Sequence, residues 1–270
     1  MSYKLTVGLE IHARLNTKTK MFCACVNENF DTRPNTNICP ICTAQPGQLP
    51  QLNQEAVNLA IRLALALNAK LSSPFRFDRK SYFYPDNPKG FQITQFATPI
   101  LRNGSLEIET KAGVKNIHIL EAHLEDDAGK LVHEGNNSLV DLNRAGCPLI
   151  EIVTAPDFND LIEVDVFLKE LQKLLRYLSV SEADMEKGML RVDVNISVSK
   201  DENLGQRIEI KNMNSFSEIM KAIAYEQKRQ GDLLEQGIKI EPETRGWDVN
   251  KGQSFLQRSK ENAADYRYFP

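Results

Sequence analysis

Period-two alternation, repeated in separate stretches, constrains this chain more than any other feature. In Lys4–Leu15, the apolar residues Leu5, Val7, Leu9 and Ile11 alternate with Thr6, Gly8, Glu10 and His12. Successive side chains of a strand point to opposite faces, so the stretch predicts a β-strand with one apolar and one polar side. Ile117–Asp126 sets Glu121, His123 and Glu125 on one face, and Glu151 lies between apolar neighbours in Leu149–Val153. Leu190–Val198 sets Arg191, Asp193, Asn195 and Ser197 against Val192, Val194 and Ile196, and Arg207–Lys211 sets Arg207, Glu209 and Lys211 against Ile208 and Ile210. Strands half-covered in this way belong to antiparallel sheets with one face on a core.

Helical periodicity lies between these strands. Asn53 is placed to cap a helix over Gln54–Asn68, and Leu161–Leu178 has apolar residues near every third and fourth position. Ser215–Gln236 opens on the Ser215/Glu218 spacing of a capping box and is closed by Gly237. Met21–Pro50 reads as a loop or knuckle, Arg76–Gln95 as an irregular aromatic and basic stretch broken by Pro85 and Pro88, and Ile238–Pro270 as a tail. Without a regular βαβ beat, the expected fold is α+β: a largely antiparallel sheet flanked by helices. No internal repeat, low-complexity segment or domain boundary is visible.

For any single strand, acidic residues on the polar face are the ordinary solvated surface. Five stretches with the same habit point further. Carboxylates converging on one sheet face repel unless positive charge sits among them, and Mg²⁺ prefers hard oxygen ligands. Arg144, Arg191 and Lys211 would then hold phosphate oxygens. This describes phosphoryl transfer on an open sheet. The chain has no G-x-x-x-x-G-K-[ST] loop, Rossmann glycine triplet or kinase signature, so a nucleotide site here belongs to another architecture.

Cys23-Ala24-Cys25 and Cys39-Pro40-Ile41-Cys42 form two close pairs flanking Val26–Ile38. Such pairs suit tetrahedral Zn²⁺ held by four thiolates, a closed and therefore structural site; the alternative is a set of small buried thiols. Cys147 stands alone and is expected to be a packed core thiol. Rings and cations in Phe77–Gln92 either stack a base and hold phosphate, or plug the core and face solvent. Gln92, Thr94 and Gln95 either line a polar passage or, as is more common for glutamine, are surface residues. The formal net charge of −3 gives no global basic field for nucleic acid. No apolar run is long enough to span a membrane, and Met1–Lys4 leads directly into the first strand without a leader pattern. The cytoplasm, where thiols stay reduced, is the expected compartment.

Several blocks resemble the B-subunit family of the glutamyl/aspartyl-tRNA amidotransferases, in family order and over essentially the whole chain. They are Gly8–His12, Pro34–Asn37 with Cys39–Cys42, Tyr82–Asp86, Leu124–Lys130, Asn143–Gly146, Ile208–Asn212 and Asp265–Pro270. The resemblance implies a glutamine-synthetase-like catalytic core with a zinc knuckle at about residues 21–50. It implies ATP- and Mg²⁺-dependent phosphorylation of the side-chain carboxylate of Glu-tRNA(Gln) or Asp-tRNA(Asn). Ammonia from an amidase A subunit then displaces phosphate, and the pair is held together by a small C subunit. Metal ligands carry over to Glu10, His12, Glu125 and Glu151, while Asp193 and Glu209 rest more on the strand faces. Lys80, Arg144, Arg191 and Lys211 become candidates for contact with ATP or acyl phosphate. Cys23, Cys25, Cys39 and Cys42 match the zinc site. The chain departs from the motif blocks at Ala44 and Cys147. The family continues past the last block into helical and tail domains that grip tRNA, so weak tRNA binding is expected of residues 1–270 alone. Two rivals remain open: an amide ligase acting on a free amino acid, and a non-enzymatic zinc-knuckle RNA-binding module.

Overall fold

The computed structural model describes residues 3–27, 32–201, 203–259 and 266–270. Asp265 of the last motif block, part of the Val26–Ile38 loop, and Met1 and Ser2 lie outside them. In chain order the elements are β1 (Lys4–Arg14), α1 (Gln54–Ala66), β2 (Lys70–Leu71), β3 (Asp78–Ser81), β4 (Phe91–Thr94), β5 (Leu101–Thr110), β6 (Gly113–Asp126), β7 (Lys130–Glu134), β8 (Asn137–Asp141), β9 (Pro148–Thr154), α2 (Leu161–Tyr177), β10 (Leu190–Ser199), β11 (Ile208–Lys211), α3 (Phe216–Glu235), β12 (Glu243–Asp248) and β13 (Gln253–Ser259).

Nine strands form one sheet in the order β13-β12-β11-β10-β1-β9-β6-β5-β2. Every neighbouring pair is antiparallel except β11 and β12. The α+β, mostly antiparallel expectation therefore holds, with three helices among the described residues. The alternation in β1 explains its position. Leu5, Val7, Leu9, Ile11 and Ala13 are buried in the core cluster, which also takes in Phe167, Leu168 and Leu171 of α2 and Ile219, Ala222 and Ile223 of α3. Burying a Leu or Ile side chain stabilises the fold by about 1.5–3 kcal/mol, enough to fix which face of the strand turns inward.

The helices begin where their caps put them. The Asn53 side chain accepts from the backbone N–H groups of Glu55 and Ala56, and Asp160 accepts from Ile162. Ser215 Oγ accepts from Glu218 N at 3.2 Å, but the Glu218 carboxylate takes the N–H of Asn214 at 2.7 Å, one residue before the cap. The capping box is therefore offset.

The stretch expected to be irregular is ordered, and the tail carries strands. Within Arg76–Gln95, β3 and β4 pair antiparallel. The chain end docks on β3, where Arg79 N donates to Phe269 O at 2.7 Å and Phe269 N donates back to Arg79 O at 3.1 Å. Within the tail, β12 and β13 extend the sheet. The β7–β8 hairpin and β5 also go beyond the sequence reading.

Candidate functional site: two carboxylate clusters and a thiol knuckle

Strand register assembles the site. Glu10 lies opposite Asp193, and His12 lies between Arg191 on one side and Glu151 on the other. His123 lies opposite Glu151, and Glu209 opposite Asn195. Residues directly opposite one another share a face. The polar positions of five strands therefore converge on the side of the sheet away from the core.

Two clusters result. Ligand atoms of His12, Glu125 and Glu151 all lie within 4.8 Å of one another, as do those of Glu10, Asp193 and Glu209. In the first, His12 Nε2 is 3.4 Å from Glu125 Oε1 and 3.8 Å from Glu151 Oε2. Thr94 donates its hydroxyl to Glu125 Oε2 at 3.2 Å. In the second, Asn195 donates to Glu10 at 3.0 Å and Thr244 donates to Glu209 at 2.9 Å. Lys211 bonds Asp193 and lies 2.9 Å from Glu209, bringing one positive charge into this cluster.

Burial and mutual repulsion set the charge state of these groups. Burial chiefly, and the neighbouring Glu151 next, push the Glu125 carboxyl up to about 8. Burial also raises Glu151 and Asp193 from their ordinary values. Burial, followed by the Arg191 charge, pushes His12 down to about 3, which leaves a neutral imidazole. Burial would lower the Lys211 ammonium, but Asp193 and Glu209 together outweigh it and raise it. These buried and half-buried oxygen donors, joined in the first cluster by a neutral imidazole, fit a hard divalent cation such as Mg²⁺ in each cluster.

The clusters border a cleft of about 830 Å³, lined also by Lys80, Tyr82, Arg191, Arg207, Lys211 and Arg258. Lys80 Nζ sits 4.5 Å from the centre of the Tyr266 ring, another lining residue. Arg191 is held by Asp127 at 3.0 Å, and this carboxylate raises its already high pKa. Arg144 is not among the lining residues. Its guanidinium donates to the carbonyls of Ala128 and Gly129 at 3.0 and 2.6 Å and lies 3.4 Å from Asp127. That geometry braces the turn after β6. Gly129 is required there because an added Cβ would lie 2.8 Å from Asp141 O.

The four cysteines also converge, with sulfurs within 4.8 Å of one another. Cys42 Sγ accepts from Cys39 N at 3.2 Å and lies 3.8 Å from Cys39 Sγ. Hydrogen bonding from Cys23 pushes the Cys42 thiol down to about 4, and the same bond drives Cys23 strongly up. An all-sulfur set of this size fits Zn²⁺. Cys147 is fully buried, as expected of a core thiol.

A family model described as the GatB/GatE catalytic domain matches residues 5–270. This chain belongs to that family. Among its relatives, the B subunit of the aspartyl/glutamyl-tRNA(Asn/Gln) amidotransferase of Thermotoga sp. (strain RQ2) is 52% identical over 278 residues, covering 100% of this chain and 58% of that protein. Proteins of the same description from Agathobacter rectalis and Persephonella marina are 51% and 48% identical, each again over the whole chain and 57% of their own length. The chain thus spans a little under three-fifths of these relatives.

In this member of the GatB/GatE catalytic-domain family, the strand faces carry most of the site residues expected from sequence. Asp127 belongs to a motif block but has no role legible there. A signal is present, since Glu125-Asp126-Asp127 packs three acids at a strand end. Asp126 is buried and paired with Lys89 at 2.6 Å. Gln92 lines the cleft, whereas Gln95 is 1% exposed and accepts from Ile100 N and Leu124 N, so it plugs the sheet instead of lining a passage. Arg207, Arg258 and Tyr266 also line the cleft, and local sequence pattern assigns none of them a role. No helix among the described residues is long and apolar enough to cross a membrane.

Proposed function

We propose that the cleft activates the side-chain carboxylate of Glu on tRNA(Gln), or Asp on tRNA(Asn), with ATP. Ammonia from a partner amidase then converts it to the amide needed for translation. The observation that carries this reading is the pair of carboxylate clusters on one sheet face, rimmed by Lys80, Arg191 and Lys211. The relatives' description as amidotransferase B subunits supports it. A glutamine-synthetase-like relationship of the core, a heterotrimer with the amidase and a small third subunit, and a cytoplasmic location belong to the same proposal.

The chemistry follows from leaving groups. A carboxylate oxygen leaves too badly for ammonia to displace it. Attack of a carboxylate oxygen on the γ-phosphorus breaks the bond to ADP and forms an acyl phosphate. Ammonia then adds at the carbonyl carbon, and phosphate departs with the original carboxylate oxygen. His12, Glu125 and Glu151 would hold one Mg²⁺, and Glu10, Asp193 and Glu209 another. Such ions would neutralise charge on the phosphates and the acceptor carboxylate. Lys80 and Lys211 bring ammonium groups to the cleft for phosphate oxygens, and Asp127 orients the Arg191 guanidinium toward the same task. Cys23, Cys25, Cys39 and Cys42 would hold Zn²⁺ as a structural clamp on the knuckle.

The test labels the Glu side-chain carboxylate of Glu-tRNA(Gln) with oxygen-18. The protein is assembled with its amidase partner and supplied with ATP, Mg²⁺ and glutamine. One label per turnover should appear in inorganic phosphate. Label in AMP, or none in phosphate, would overturn the acyl-phosphate route. Free glutamate replacing the tRNA at equal efficiency would favour the amino-acid ligase, and RNA binding with no ATP turnover would favour the RNA-binding module.

A further inference from the structure

We propose that Lys20 is the counter-ion of the Cys23–Cys25–Cys39–Cys42 centre and slows the release of its metal. This rests on reading the four thiols as a zinc site. Lys20 is 0% exposed and is among the largest fully buried side chains of the protein. Lysine is almost never buried completely unless its charge is paired. The lysines that reach a carboxylate among the described residues are others, such as Lys89, Lys115 and Lys211. Lys20 Nζ instead donates to the carbonyl of Asn37 at 2.9 Å and to Cys42 Sγ at 3.6 Å.

The surroundings are built to deliver that ammonium. Lys20 N donates to Cys25 O at 2.9 Å, which anchors the residue to the first cysteine pair. Its stem passes Gly146, where an added Cβ would stand 3.6 Å from Lys20 Cδ and 3.5 Å from Cys42 Cβ. The φ of +86° at Gly146 disfavours any side chain there. Four thiolates around a divalent cation keep a net negative charge, which is costly away from water. A buried ammonium cancels part of it. Partners of this kind, one step removed from the metal, change affinity by about 10–100-fold. Asn37 O then serves to aim the ammonium at the sulfur.

The test compares the protein with Lys20→Gln, Lys20→Met and Lys20→Arg. Zinc content is measured first, then the rate of zinc transfer to a chromophoric chelator. In Co²⁺-loaded protein, the thiolate-to-metal charge-transfer band is recorded. Loss of the charge should speed release at least tenfold and move the band, while Lys20→Arg stays near the parent. Equal release rates and an unmoved band in Lys20→Gln would overturn the proposal. Should the neutral variants not fold, the parent still decides. Metal loading should then bring up a slowly exchanging ¹⁵N-lysine ammonium resonance that removal of metal abolishes, and its absence in the loaded protein would overturn the proposal. A parent protein that binds no zinc would sink the zinc reading itself.

Discussion

Glu125→Gln separates the metal reading from a merely polar sheet face. The carboxyl is 3% exposed, with His12 at 3.4 Å and the Thr94 hydroxyl at 3.2 Å. An amide fits the same space and is always neutral. In the parent, burial and Glu151 hold Glu125 up at about 8, against an ordinary 4.5. The native state therefore keeps a proton that the unfolded chain gives up from about pH 4.5. The stability linked to this group is full below that pH, falls as pH rises, and is lost above about pH 8. Glutamine has no such loss, so in chelator the variant should gain on the parent as pH rises from 5 to 8.5. A cation reverses the order. Mg²⁺ at about 100 times its dissociation constant should stabilise the parent by about 2.7 kcal/mol, or about 5–10 °C in melting temperature for a domain of this size. Glu125→Gln should lose most of that shift. Thermal melts at several pH values, with Mg²⁺ or EDTA, read both effects. A variant that keeps the full Mg²⁺-dependent shift would refute the reasoning.

Metal binding to the parent should displace the Glu125 proton, so apparent Mg²⁺ affinity should rise with pH up to about 8 and level off above it, which isothermal titration calorimetry can follow. Lys211→Met removes a charged donor beside Asp193 and Glu209; steady-state assays of the assembled enzyme should show KM for ATP raised about 10–100-fold, in line with loss of a charged hydrogen bond. Asp193→Asn should weaken Mn²⁺ binding at one cluster while leaving zinc content unchanged, as read by paramagnetic resonance and metal analysis. Phe167→Ala opens a hole in a fully buried position stacked edge-on against Phe158 and should cost about 3–5 kcal/mol in urea melts without changing metal content.

What sequence makes legible follows from where local patterns are sufficient. The period-two stretches name both clusters because a strand's face is a local property, and antiparallel pairing then brings the faces together. The aromatic stretch defeats local reading because its order is imposed from far away: Arg79 pairs with Phe269 and lies 4.2 Å from the centre of that ring. The tail strands β12 and β13 are hidden for the same reason. Arg245 of β12 is tied to Glu226 of α3, a fully buried carboxylate on a helix that sequence would leave in water. The β7–β8 hairpin has a local signal, since Gly135-Asn136 sits between the two strands. Lys20 has none: a lysine in a polar loop, two residues after Lys18, gives no sign that it will be sealed against sulfur.

The dependence of both clusters on β1 makes register the controlling variable of the site. Glu10 belongs to one cluster and His12 to the other, two residues apart on the same face. Alternate residues of a strand are about 6.8 Å apart, so the two proposed cation sites would lie within the reach of one triphosphate. A one-residue slip of β1 would turn Glu10 and His12 into the apolar core and expose Leu9 and Ile11, both buried to within 1%. The hydrophobic face that stabilises the sheet therefore also fixes the placement of the proposed metal ligands. A single-residue insertion between Leu5 and Gly8 should either shift β1 outward to keep Leu9 and Ile11 inside, leaving Mg²⁺ binding intact, or abolish folding. A folded insertion variant that buries its core normally yet binds no divalent cation would break the link between packing and chemistry argued for this strand.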